Sequence, residues 1–186
     1  MTPALSRNLN AIGALGIAIV LAMAFYFQFA FYDLPCPLCL LQRVAFVAVA
    51  FGLCLNLLWG TRARNYALMI VAALFGGLAS GRQILLHIVP GTGAYGEPIF
   101  GLHYYTWAFI LFGFVVLGAA VMLLLEGPDS ASDRPVPAQR FGGNGFAKAA
   151  FFALVLLAAG NAVSTFLQCC LGVCADSPTH YELLGS

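Results

Sequence analysis

Five long apolar runs constrain the fold of this chain more than any other feature of its sequence. They occupy residues 11–32, 40–59, 66–88, 104–125 and 147–167. A helix needs about 20 apolar residues to cross the hydrocarbon core of a membrane, and each run is about that long. Apolar residues make up 62% of the 186 positions and charged residues only 8%, which leaves too little polar surface for water. We therefore predict an all-α integral membrane protein.

The runs divide the chain into four spans and a later fifth. Residues 1–126 are expected to form a four-helix transmembrane bundle that carries a Cys-x-x-Cys motif. Pro, Gly, Ser and mixed charges fill residues 127–146, which is typical of a polar linker. Residues 147–168 are then predicted to form a fifth transmembrane helix, and residues 169–186 a tail that contains cysteines. The linker separates one helix from four and does not separate two domains.

The positions of the cations predict the orientation, because Lys and Arg in short loops stay on the cytoplasmic side. Residues 31–39 and 89–103 contain neither, whereas six cations flank the opposite face: Arg7, Arg62, Arg64, Arg134, Arg140 and Lys148. The N-terminus and the linker are therefore expected to be cytoplasmic, and the tail to lie outside.

The charge balance indicates no nucleic-acid partner. Eight Lys plus Arg against seven Asp plus Glu provide no basic patch for nucleic acid. Membrane lipid is the expected surrounding.

The sequence Cys36-Pro37-Leu38-Cys39 opens the second span. Pro is favoured at the first position of a helix, so Pro37 is predicted to start the helix, with Cys36 just outside it and Cys39 in its first turn. Unpaired N–H groups at that end favour a thiolate, and a separation of three residues lets the two sulfurs meet. The pattern predicts a redox-active pair. A static disulfide and half of a four-cysteine metal site are the alternatives.

Arg43 lies four residues after Cys39 and therefore one turn deeper on the same helical face. An ionisable residue within a membrane span indicates function. A cation beside a thiolate suits an electron acceptor whose oxygen gains negative charge on reduction, and a membrane quinone is such an acceptor. An arginine that only reaches towards the lipid headgroups is the alternative.

The run CPLCLLQR, residues 36–43, resembles the bacterial disulfide bond formation protein B family, which has Cys-x-x-Cys followed four residues later by Arg. The likeness extends to residues 82–90 and 101–107. It implies a quinone-linked thiol oxidase of the bacterial inner membrane, with ubiquinone or menaquinone as cofactor and no metal. The implied partner is a periplasmic thioredoxin-like dithiol protein, whose oxidation supports disulfide formation.

The resemblance also implies roles for individual residues. Cys39 would face the quinone, Arg43 would stabilise its reduced oxygen, and Cys36 would exchange with a second cysteine pair. Arg82 and His87, near the outer end of the third span, are further candidates to line the quinone pocket. Anchoring at the membrane interface is the alternative for both.

The sequence departs from the family pattern in residues 89–103, which contain no cysteine where the family usually has its partner-facing pair. The predicted topology brings the tail to the same face, so we expect the tail to supply this pair. Adjacent cysteines bridge each other only with strain, so Cys174 is expected to pair with Cys169 or Cys170, with a slight preference for Cys170. A palmitoylated or uninvolved tail is the alternative. Cys54, in mid-membrane, is expected to be a core residue.

Two other functions use the same cysteines. A membrane reductase would pass electrons outwards to periplasmic disulfides, and the sequence does not fix the direction of electron flow. A metal-binding protein without enzymatic activity would use Cys36 and Cys39 together with the tail, whose ligands would be Cys169, Cys170, Cys174 and His180.

Overall fold

The computed structural model describes residues 1–89, 91–94, 96, 98–130, 145–170 and 172–185, with the side chains of 127–130 left aside. Its helices are α1 (Pro3–Ala30), α2 (Pro37–Trp59), α3 (Ala63–His87), α4 (Tyr104–Ser130) and α5 (Gly145–Cys169). All five are long and apolar enough to cross a membrane. The prediction of an all-α multi-pass membrane protein is confirmed. Arg134, Arg140 and most of the predicted linker lie outside the described residues.

Helix α1 begins eight residues before the first apolar run, because polar side chains on its first turns are buried within the protein. Thr2 caps the helix by accepting a hydrogen bond from Leu5 N at 3.4 Å, and Pro3 occupies the first helical position. Ser6 and Asn10 then lie on the buried face. These turns fall outside the first apolar run because they are polar, although their polar groups have partners inside the bundle.

The helices pack around a core that is rich in alanine. Helix α3 packs against α2 and α4, whereas α5 packs mainly against α1 and less extensively against α2. Small buried residues such as Ala14, Ala45 and Ala73 let the helix backbones approach closely, which is the usual source of helix association in lipid. Helix α5 is therefore an integral part of the bundle.

The closest glycine contact lies between α3 and α4. A Cβ added to Gly76 would overlap the ring of Phe112, which is stacked on Phe46 with ring centroids 4.1 Å apart. The neighbouring Gly77 is different, because its added Cβ would lie 3.9 Å from Phe112 Cβ, an ordinary contact.

We expect Gly76→Ala to lower the thermal unfolding midpoint of the purified protein in detergent. Displacing the Phe112 ring should cost about 1–3 kcal/mol, which outweighs the roughly 1 kcal/mol that alanine gains over glycine in a helix. Gly77→Ala is the matched control and should leave the midpoint unchanged or raised. An equal rise in both variants would contradict the packing described.

A buried polar network joins four helices at the end of the bundle away from Cys36. Asn56 Nδ2 donates to Asn10 Oδ1 at 2.9 Å, and Asn65 Nδ2 donates to Asn56 Oδ1 at 2.8 Å. Asn10 Nδ2 also donates to Tyr66 Oη at 2.8 Å, and Tyr66 donates to Glu126 Oε1 at 3.1 Å. Buried polar groups are tolerated when they are paired in this way. The network fixes the helices relative to one another at that end.

Candidate active site

Cys36 is the N-cap of α2, as the sequence predicts. Its backbone is extended, with φ −67° and ψ 164°, and Pro37 is the first helical residue. The Cys36 sulfur accepts a hydrogen bond from Cys39 N at 3.2 Å, which satisfies one of the open N–H groups at the helix start. Cys36 is 7% exposed, and both cysteines are free thiols. The motif thus places a reduced dithiol at the N-terminus of a membrane helix.

Gln83 on α3 contacts both sulfurs and is a site residue that the sequence analysis missed. Its Nε2 donates to Cys36 Sγ at 3.4 Å and lies 3.6 Å from Cys39 Sγ. Its Oε1 accepts from Gln42 Nε2 at 2.7 Å, which fixes the orientation of the amide. Gln83 is only 2% exposed. A glutamine inside an apolar span was the available signal, because intramembrane polar residues are costly and usually functional.

The surroundings of Cys36 favour its thiolate. The Cys39 thiol hydrogen-bonds to Cys36 and lowers its pKa most, and the Cys39 backbone N–H and the Gln83 amide add to this, whereas burial opposes it. Together they lower the pKa of Cys36 from 9.0 to about 7. A thiolate is the nucleophile in disulfide exchange, so Cys36 is suited to exchange near neutral pH.

We expect the alkylation rate of reduced Cys36 by iodoacetamide to rise through a midpoint near pH 7. About half of Cys36 would be thiolate at that pH, compared with about 1% for a thiol of pKa 9. Cys39→Ala removes the strongest stabilising bond, so the midpoint should move upward towards 9. Mass spectrometry of the labelled peptide gives the rates. A midpoint that stays in place in Cys39→Ala would contradict the assigned cause.

Arg43 lies one turn below Cys39 and its guanidinium is held by α1. Nη1 donates to Gln28 Oε1 at 2.6 Å, and Nη2 donates to Ala24 O at 3.0 Å. The guanidinium carbon also lies 5.7 Å from the ring centroid of Phe25. A guanidinium has five N–H donors in a planar fork, and these two bonds use two of them. The side chain is held firmly and retains donor capacity for a ligand.

Cys39 and Arg43 line the same cavity, which has a volume of about 380 Å³. Its polar wall also includes Gln42 and Asp33. The remaining wall is mostly apolar and aromatic, and includes Ile19, Met23, Phe27, Phe46, Phe100, Tyr104, Tyr105, Trp107 and Leu111. Sites for small organic molecules typically measure about 300–1,000 Å³ and combine apolar walls with a few polar groups. The donor set and the walls fit a quinone ring with its apolar tail.

Arg82 and His87, the other candidates for this pocket, lie outside the cavity lining. Arg82 is exposed on α3. His87 accepts or donates a hydrogen bond at 3.2 Å to Gly93 O and stacks on Tyr105, with ring centroids 5.6 Å apart. Their neighbour Gln83 is instead turned towards the cysteines. The helical period explains the difference between Arg82 and Gln83, because adjacent residues on a helix point in directions about 100° apart. His87 follows Gln83 by four residues, so it lies on the same side of α3 but one turn further along, at the last residue of the helix.

The tail contains a disulfide between Cys169 and Cys174, with an S–S distance of 2.07 Å. The preference for Cys170 as the partner of Cys174 was therefore wrong. Cys169 is the last residue of α5 and is buried. Cys170 has a left-handed backbone, with φ +53°, and is a free exposed thiol. The turn that ends the helix directs the two adjacent side chains to different surroundings.

One hydrogen bond brings the tail disulfide and the Cys36 loop together. Gln168 Nε2 donates to Pro35 O at 2.7 Å, and Gln168 is buried. Gln168 precedes Cys169 in the chain, and Pro35 precedes Cys36, so the two cysteine pairs occupy neighbouring positions at one end of the bundle.

Across the described ranges, no three His, Cys, Asp or Glu side chains form a group that could hold a metal ion.

Fold and site together define a multi-pass helical membrane protein with a dithiol at the rim of an apolar cavity. Residues 6–94 match the family model described as Disulfide bond formation protein DsbB. Over this segment, slightly less than half of the chain, the sequence is similar to the DsbB family. The matched segment contains Cys36, Cys39, Arg43 and Gln83, whereas α4, α5 and the tail lie beyond it.

The curated relatives that the chain resembles have the corresponding name. The chain is similar to "Disulfide bond formation protein B" of Methylococcus capsulatus, with 39% identity over 95 residues, 48% of this chain and 58% of that protein. The protein of the same name from Marinobacter nauticus is 38% identical over 89 residues, 46% of this chain and 53% of that protein. The chain therefore spans about half the length of the curated relatives it matches. No solved structure gives a significant match.

Proposed function

We propose that this protein is a quinone-dependent protein-dithiol oxidase of the bacterial inner membrane. It would oxidise a periplasmic thioredoxin-like dithiol protein and pass the electrons to a membrane quinone, thereby supporting disulfide formation. The observation that carries the proposal is that Cys39 and Arg43 line one apolar cavity, while Cys36 lies beside Cys39 as the N-cap of α2. The N-terminus would lie in the cytoplasm and the tail in the periplasm, because Lys and Arg residues flank one face of the predicted topology.

Electrons would enter through the tail. A thiolate of the reduced partner attacks the Cys169–Cys174 disulfide, and the partner's second thiol resolves the mixed disulfide and leaves oxidised. A tail thiolate then attacks Cys36 in a Cys36–Cys39 disulfide and releases Cys39 as thiolate. The second tail thiol resolves that mixed disulfide, so the tail is reoxidised and Cys36 and Cys39 are left reduced. Every step is an exchange of one sulfur–sulfur bond for another.

At the cavity, the Cys36 and Cys39 thiols would be oxidised again to their disulfide. A bound quinone would supply the acceptor for the two electrons and the two thiol protons, and would be reduced to quinol. Arg43 would hold the acceptor oxygen with a charge-assisted hydrogen bond, and the aromatic walls would exclude water from the reacting sulfur. Gln83 would keep both sulfurs in place. Residues 1–126 would thus contain the quinone-reducing unit, and residues 147–186 would add the partner-facing cysteines through a linker at 127–146.

The test is a reconstituted reaction. Purified protein in lipid nanodiscs is mixed with a reduced thioredoxin-like dithiol protein and ubiquinone or menaquinone of short chain length. We expect one quinol for each partner disulfide formed, measured by quinone absorbance and thiol titration. If quinol instead drives reduction of the partner's disulfide, the protein is the membrane reductase. Stoichiometric zinc or copper that is lost in Cys36→Ala would favour the metal-binding alternative.

The exchange between the two pairs has its own test. In Cys39→Ala, the Cys36 thiolate can attack the tail disulfide but has no internal partner, so we expect a disulfide between Cys36 and a tail cysteine to accumulate. Cys169 is the expected attachment point because Gln168 is bonded to Pro35. Peptide mapping by mass spectrometry under non-reducing conditions identifies the bond.

Cys170→Ser in the same background is the control for the trapping experiment, and it should leave the yield unchanged because Cys170 is outside the disulfide. Recovery of Cys36 only as a free thiol would contradict exchange between the pairs. Full oxidase activity after replacement of all three tail cysteines would also exclude the tail as the electron entry point.

A further inference from the structure

The chain after α5 folds back onto the site. Leu183 N donates to Leu167 O at 3.1 Å, and Glu182 N donates to Gln168 O at 3.4 Å, so the tail runs along the end of α5. Leu184 N and Gly185 N both donate to Tyr181 O, at 3.0 and 3.1 Å, and close a turn that begins at Tyr181. These bonds place the Tyr181 side chain against α1, close to the residues that hold Arg43.

Gln28 on α1 connects the tail to Arg43 through side-chain hydrogen bonds. It is 2% exposed. Its Nε2 donates to Tyr181 Oη at 2.7 Å and to Ser164 Oγ of α5 at 2.8 Å. Its Oε1 accepts from Arg43 Nη1 at 2.6 Å. A guanidinium only donates, and an amide nitrogen has two N–H groups, so this arrangement satisfies both N–H groups of Gln28 and directs its oxygen towards Arg43.

We propose that Tyr181 is a positioning residue for Arg43, and that α5 and the tail thereby set the affinity of the cavity for its quinone. The proposal rests on the proposed function and deepens it. Without the phenol oxygen, one buried N–H of Gln28 lacks its partner, which is costly inside a protein. The amide then turns to find another acceptor, and its oxygen no longer holds Nη1 in the direction of the cavity.

Equilibrium binding tests this proposal without turnover. Trp107 lines the cavity, so its fluorescence reports occupancy in a Trp59→Phe background. We expect Tyr181→Phe to weaken binding of ubiquinone-1 about three- to tenfold, the effect of one hydrogen bond. Tyr32→Phe removes the hydroxyl of a tyrosine that is 89% exposed and should leave the dissociation constant unchanged. Thermal unfolding of each variant confirms that folded protein is compared.

A double-substitution cycle separates positioning of Arg43 from a general structural effect. If Tyr181 acts through Arg43, Tyr181→Phe has no further effect on binding in an Arg43→Met background. Equal effects in both backgrounds, or no effect of Tyr181→Phe alone, would overturn the inference while leaving the oxidase proposal intact. If the unaltered protein itself binds no ubiquinone-1, the oxidase proposal and the inference both fail.

Discussion

Cys39→Ala should abolish quinone-dependent oxidation of the partner, with a loss of at least about 10³-fold in turnover, as expected when the reacting group of a catalytic unit is removed. Cys39 is the sulfur that lines the cavity beside Arg43. Without it, the Cys36–Cys39 disulfide cannot form, so the electrons have no route from the outer cysteines to the acceptor. Turnover is measured as quinone absorbance lost with excess reduced partner.

Cys54→Ala provides the matched control, because it is the same substitution on the same helix. Cys54 packs against the core and is a free thiol, and its replacement should leave turnover within about twofold of the unaltered protein, since a buried free cysteine acts as a small apolar residue. Substantial oxidase activity in Cys39→Ala would show that electrons bypass this pair, and the proposed route would then be wrong.

Arg43→Met should lower kcat/KM for the quinone about 100-fold, because it removes the only cationic side chain in the cavity lining described here. Loss of one hydrogen-bond donor at a site of developing negative charge typically has an effect of this size. Arg43→Lys should recover part of the loss, since it restores the charge but not the planar fork that engages Gln28 and Ala24. KM for the partner protein should change little in both variants.

Arg82→Met is the control for this experiment, because it makes the same change at the same end of the bundle. Arg82 is exposed and lies outside the cavity lining, so kcat/KM for the quinone should stay within about twofold. Equal losses in the two methionine variants would mean that quinone contacts Arg82 as well, and the site would then have to extend beyond the cavity described.

The sequence was sufficient to predict the helices and the position of the dithiol, because both depend on local chemistry. Apolar runs of membrane length and the Pro37 start signal are properties of contiguous residues. The first helix was underestimated for a related reason. Ser6 and Asn10 are polar, yet their partners are supplied by other helices, and a contiguous run of residues contains no information about such partners.

The remainder of the candidate site depends on tertiary packing and could not be predicted in the same way. Gln83 contacts the sulfurs because α3 packs against α2, whereas the sequence favours the adjacent Arg82 as a site residue because it is charged. The choice of Cys169 over Cys170 depends on the turn that ends α5. Tyr181 lies 153 residues after Gln28, and no local pattern indicates that the two side chains meet.

The position of the cavity has a consequence for how its ligand arrives. Ile19 and Met23 line it from α1 and are about half exposed, and Phe100, which also lines it, is almost fully exposed. In a bilayer these surfaces face acyl chains, so a hydrophobic molecule would enter sideways from the membrane and never cross the aqueous phase. Occupancy would then follow the mole fraction of quinone in the surrounding lipid. Diluting the protein with detergent or empty vesicles, at constant amounts of protein and quinone, should slow the reaction although no bulk concentration in water has changed.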